Sequence, residues 1–118
     1  MGLEFMEHTE RGFEIIKFED RYGVACSLQQ SSLAGDAEEP PGHTAIWLGP
    51  DDADPKIMKS KAEELGVPLP PGEVSGWMPY PIPDAVLLST RMHLDRQLVV
   101  QLVHRLQTWL ETGSFSSI

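Results

Sequence analysis

A chain of 118 residues, 41% of them hydrophobic, makes one domain of ordinary size and buries roughly 65% of its unfolded surface without a disulfide or metal staple. Its single cysteine excludes an intramolecular bridge, and its apolar runs are far too short to span a bilayer. The net charge of −9 repels phosphate backbones, which excludes direct nucleic-acid binding.

Residues 1–6 read as an expression leader or disordered terminus, with Met6 as an alternative start, and 7–118 as a single α+β domain. The acidic N-terminus (Glu4, Glu7, Glu10) lacks the positive n-region of a secretory signal, so a cytoplasmic protein is expected. Residues 12–18 are β-rich. Phe13 and Ile15 fall out of phase with Ile16 and Phe18, which suits a bulge or a two-sided strand. A turn over 19–23 places Gly23 where φ > 0 is needed. Residues 24–29 then alternate, with Val24, Cys26 and Leu28 on one face and Ala25, Ser27 and Gln29 on the other. This is a hairpin.

Residues 30–43 form a polar loop that ends on Pro40-Pro41-Gly42. Thr44 to Leu48 is a third strand. A short middle helix is expected over 56–65, with Ile57, Met58, Ala62 and Leu65 inward and Gly66 as its stop. The six prolines between Val67 and Asp84 predict an extended strap pinned by Trp77 and Tyr80. A fourth strand is predicted over 85–92, with Val86, Leu88, Thr90 and Met92 on one face. Asp95 then caps a helix, with Leu94 and Val99 as its hydrophobic staple. Along that helix Leu98, Val99, Leu102, Val103, Leu106, Trp109 and Leu110 form one apolar stripe, closed by Gly113. The expected fold is an antiparallel sheet of about four strands, packed with this long C-terminal helix and the short middle one. Such a helix covers one sheet face only, so a homodimer is expected to cover the other.

No motif specifies a reaction, a cofactor or a metal. Cys26 reads as buried and inert, because a nucleophilic thiolate wants an electropositive, exposed setting. The four histidines (His8, His43, His93, His104) lack metal-site spacing. Asp51, Asp52 and Asp54 alternate loosely like a calcium loop. The downstream Gly is missing, however, and Ala62 stands where a Glu is required. Ser31-Ser32 sits in no nucleophile elbow and reads as a loop or a cap. Two surfaces remain as candidates. The first comprises Trp47, Trp77, Tyr80, Arg91 and His93, in two versions: a pocket between strap and sheet lined by Trp47, Trp77 and Tyr80, and a smaller site joining Arg91 and His93 to Ser89, Ser27 or Gln29. The second is acidic: Asp36, Glu38, Glu39, Asp51, Asp52 and Asp54, with no Lys or Arg from Tyr22 to Pro55. It reads as solvated loops or as a mimic of nucleic acid that engages a basic host protein.

Three strings carry a resemblance: Asp20-Arg21-Tyr22-Gly23-Val24-Ala25-Cys26-Ser27-Leu28-Gln29-Gln30-Ser31-Ser32-Leu33, Ala45-Ile46-Trp47-Leu48-Gly49 and Arg91-Met92-His93-Leu94, with a helix closing on Glu111-Thr112-Gly113. Together they resemble a family of small uncharacterised proteins from phages, prophages and other mobile elements such as integron gene cassettes. Residues 56–76 stand as an insertion relative to shorter relatives, and Asp95 replaces the Thr or Ser expected at the cap. The resemblance implies a mobile-element accessory protein and assigns no catalytic residue. A non-enzymatic binding or adaptor protein is therefore expected, with an unknown protein or small molecule as its partner.

Overall fold

In the computed structural model, which describes residues 2–34, 40–69, 71–72 and 75–116, the chain runs β1 (Met6–His8), β2 (Glu14–Glu19), β3 (Ala25–Gln30), β4 (Ala45–Pro50), β5 (Lys56–Met58), α1 (Lys59–Ala62), β6 (Trp77–Pro79), β7 (Met92–Asp95) and α2 (Arg96–Thr112). The fold is α+β, with a five-stranded antiparallel sheet in the order β1-β2-β3-β4-β7. It divides into two compact units, residues 1–51 with 90–118, and residues 52–89. The sequence reads as a single domain over 7–118; the structure inserts the second unit between β4 and β7. No helix among the described residues is long and apolar enough to cross a membrane.

The β2–β3 hairpin forms for the reasons its sequence gives. Asp20 Oδ1 accepts from the backbone N–H groups of Tyr22 (2.7 Å) and Val24 (3.0 Å), and Gly23 takes φ 83°. Pairing runs without interruption from Ile15↔Gln29 to Glu19↔Ala25. The phase slip in 12–18 is therefore a two-sided strand and not a bulge. Ile16, Phe18, Cys26, Leu28, Ile46, Leu48, Met92 and Leu94 share one sheet face, while Ile15, Lys17, Ser27, Gln29, Trp47 and His93 share the other. The fifth strand is β1, where Met6 pairs Ile16. It begins inside the segment read as a leader.

The fourth strand lies elsewhere than its alternation predicts. Residues 86–90 have no regular structure and β7 is Met92–Asp95. β4 offers that edge only Ala45–Leu48, because Gly49 at φ 146° and Pro50, which lacks an N–H, end the ladder. Asp95 does cap α2. Its Oδ1 accepts from the Leu98 N–H at 2.9 Å, and Leu94 and Val99 line one apolar notch of about 150 Å³. Gly113 closes α2 in the left-handed conformation, donating to the Trp109 carbonyl at 2.7 Å. The apolar stripe of α2 is only partly covered: Val99 and Leu102 are half-buried, but Leu106 is 46% exposed, Trp109 48% and Leu110 71%.

The second unit corrects two expectations. A middle helix over 56–65 is not formed: Lys56–Met58 pairs with Trp77–Pro79 as an antiparallel ribbon, and only one helical turn follows. A segment this short makes no independent helix, and β-branched Ile57 gains more by packing opposite Met78. The strap is held by Met78, not by Trp77 and Tyr80. In a strand, neighbours point to opposite sides, so Met78 joins Ile57, Ala62 and Val67 in the core while Trp77 stays 63% exposed. Ile57→Ala and Met78→Ala are each expected to destabilise this unit by about 2–4 kcal/mol. Trp77→Ala should cost about 1 kcal/mol or less. Hydrogen exchange at the amides of β5 and β6 distinguishes the three.

Candidate functional site

Trp47 stands at the centre of the polar sheet face because register places Gln29 on one side of it and His93 on the other. The Trp47 and His93 rings stack with centroids 3.9 Å apart and planes 9° from parallel. Arg91 enters just before β7. Its Nη1 donates to Gln29 Oε1 at 2.7 Å and to Ser27 Oγ at 3.1 Å. Its Cζ lies 5.7 Å from the Trp47 ring centroid, within cation–π range. Ser27, only 1% exposed, donates in turn to Asp51 Oδ1 at 2.6 Å. The guanidinium is thus tied to a carboxylate through a buried hydroxyl.

His93 is fixed as firmly. Its Nε2 shares a 2.8 Å hydrogen bond with Ser31 Oγ, which also accepts the Leu33 N–H at 3.0 Å. Beside Trp47 a groove of about 330 Å³ is lined by Thr9, Glu10, Arg11, Phe13, Gln29, Ser32 and Trp47. There the Arg11 guanidinium carbon sits 5.6 Å from the Phe13 ring centroid. Two arginines and two aromatic planes therefore meet on one face of an acidic chain.

Gly49 makes room for this arrangement. A Cβ at position 49 would lie 3.0 Å from the Thr90 carbonyl oxygen and 3.1 Å from Arg91 Cα. The close approach is what brings the Arg91 side chain over β4 towards β3.

Of the residues singled out in the sequence, Trp47, Arg91 and His93 are brought together, with Ser27 and Gln29 beside them. Trp77, Tyr80 and Ser89 belong to the second unit. Asp51 turns out to be a partner of Ser27. Asp54 lies 3.3 Å from Lys56, and Asp36, Glu38 and Glu39 lie outside the described residues. Sequence reasoning missed Ser31 as the partner of His93, and it missed Arg11 and Phe13. The period-2 series Ser27, Gln29, Ser31 was the available signal for the first. Arg11 and Phe13 depend on how the β1–β2 turn folds over, which no local pattern encodes.

The described residues hold no cluster of three metal-ligating side chains. Cys26 is buried. Burial, then the charges of Asp20 and Asp51, push its thiol above the ordinary value, against a lowering backbone hydrogen bond. No family model, curated protein or solved structure matches the chain.

Gly49→Ala is expected to cost about 1–3 kcal/mol from backbone strain and crowding, read as a lowered denaturation midpoint. The Cys26 thiol should react slowly with a thiol reagent at pH 8 in the native state and rapidly in denaturant. Because its native pKa is raised, the unfolded thiol ionises first, near pH 8.5. Stability should therefore hold below that pH and fall above it, and Cys26→Ala should remove that part of the dependence.

Proposed function

We propose that this chain is a non-enzymatic binding protein whose recognition surface is the Trp47 face of the five-stranded sheet. The observation that carries the reading is the preorganised guanidinium of Arg91. Gln29 and Ser27 fix its Nη1, and no other nitrogen of the group is bonded among the described residues. Nε and Nη2 are left to meet a partner. A guanidinium held rigid beside an indole plane binds a planar carboxylate well, because little side-chain entropy remains to be lost. The adjoining groove, with Arg11, Phe13 and Ser32, extends the same chemistry.

The matching partner is an anionic group attached to a flat apolar body, carried by a small molecule or displayed on a protein. The resemblance to mobile-element proteins fits an accessory role of this kind. The network of Ser27, Asp51 and Arg91 could be mistaken for a catalytic relay. It lacks a poised nucleophile, since Ser27 is fully buried and already donates to Asp51.

Trp77→Phe with Trp109→Phe leaves Trp47 as the reporting indole. Titration with benzoate and with quinaldate should quench its fluorescence saturably. Arg91→Ala should weaken that binding about tenfold or more, in keeping with a hydrogen-bonded charge worth 1.5–3 kcal/mol. Arg91→Lys should recover only part of it, as a point charge replaces a fork. Absence of saturable quenching with either probe overturns the carboxylate reading.

A further inference from the structure

We infer that the protein is a helix-exchanged homodimer, in which α2 of each copy lies across the apolar sheet face of the other. The inference concerns the face opposite Trp47 and stands independently of the proposed ligand.

The first unit has almost no apolar interior of its own. Among the described residues its buried hydrophobic side chains are Cys26 and Ala45. Its other apolar side chains are at best half-buried, a thin return against the conformational entropy of ordering roughly 80 residues. Meanwhile two apolar surfaces of that unit are only partly covered. One is the sheet face built from Ile16, Phe18, Leu28, Ile46, Leu48 and Met92; the other is the stripe of α2.

Within one copy these surfaces meet at the start of the helix, where Ile46 and Leu94 share a notch with Val99 and Val100, while Leu106, Trp109 and Leu110 stay exposed. Asp95 is both the last residue of β7 and the N-cap of α2, so no loop residue separates strand from helix. Helices that fold back over their own sheet commonly do so through a connection of about 2–6 residues. A second copy removes that constraint, and a loopless hinge of this kind favours exchange of the element it carries.

Dimensions agree. The 17 residues of α2 span about 25 Å, enough to cross five strands whose four spacings of about 4.8 Å sum to about 19 Å. Charge selects the same occupant: α2, with Arg96, Arg105 and Glu111, is formally +1, whereas the whole chain is −9. Exchange lays the least acidic element of each copy on the acidic body of the other.

Sedimentation of the full chain at micromolar concentration tests this. The expected mass is about 26 kDa, twice that of one chain. Leu106→Glu on the helix and Met92→Glu on the sheet alter side chains that are about half exposed in one copy, so each should leave the fold of that copy intact. Each should raise the dimer dissociation constant about 30-fold or more. An equal mixture of the two variants should recover dimer, because the mixed pair keeps one unaltered helix-on-sheet contact. A helical monomer overturns the inference. So does a dimer indifferent to Met92→Glu, which would mean helix-on-helix pairing, and so does a mixture that recovers nothing.

Discussion

One buried hydroxyl organises the first unit. Ser27 Oγ accepts from Arg91 and donates to Asp51, joining three segments that are distant in sequence. Asp51 is where the chain leaves the sheet for the second unit, and Thr90 is where it returns. The Thr90 hydroxyl reaches the Asp51 carbonyl at 3.4 Å, so the two ends of the insertion nearly touch. Closing the chain there asks little of the sheet, and loop-closure entropy depends only weakly on how long the inserted segment is. The second unit can accordingly keep its own small core of Ile57, Ala62, Val67 and Met78. The first keeps its strand register.

The parts legible in the sequence were those decided locally. The Asp20–Gly23 turn, the alternation of β3, the Asp95 cap and the Gly113 stop each depend on a few neighbouring residues, and each forms as read. The failures share a different cause. Alternation over 85–92 was real, but a strand exists only where a neighbour offers it a ladder, and Gly49 and Pro50 withdraw that offer. The apolar positions of 56–65 fitted a helix, yet Ile57 found a better partner across a ribbon. Trp77 reads as a pin of the strap, whereas strand parity gives the inward position to Met78. The site was half legible for the same reason. Trp47, Arg91 and His93 could be listed from residue chemistry, but their assembly is a property of register between β3, β4 and β7.

Register also separates two chemistries, one apolar and one polar, onto two faces. A one-residue slip in β4 would move Trp47 to the apolar side and Leu48 to the polar side. The hairpin turn and the Ser27 network both oppose such a slip. The two faces differ in kind: one carries Ile16, Phe18, Leu28, Ile46, Leu48 and Met92, the other Ser27, Gln29, Trp47 and His93. Buried polar groups often fix specificity more than stability, and here they hold the register on which both surfaces depend.

The acidic charge then sets how that open face can work. At physiological salt a field from −9 charges is screened beyond about 8 Å. Within that range it opposes the approach of any anion. Long-range steering therefore cannot supply the proposed recognition of a carboxylate at Arg91. Selectivity must arise at contact, from the fixed guanidinium, the Trp47 plane and the shape of the groove. On the proposed reading, a partner that is merely negative is repelled, and a planar anion is retained by contact alone. Arg91 is built for contact and not for reach: Gln29 and Ser27 bond its Nη1, and the Trp47 ring lies beside its guanidinium.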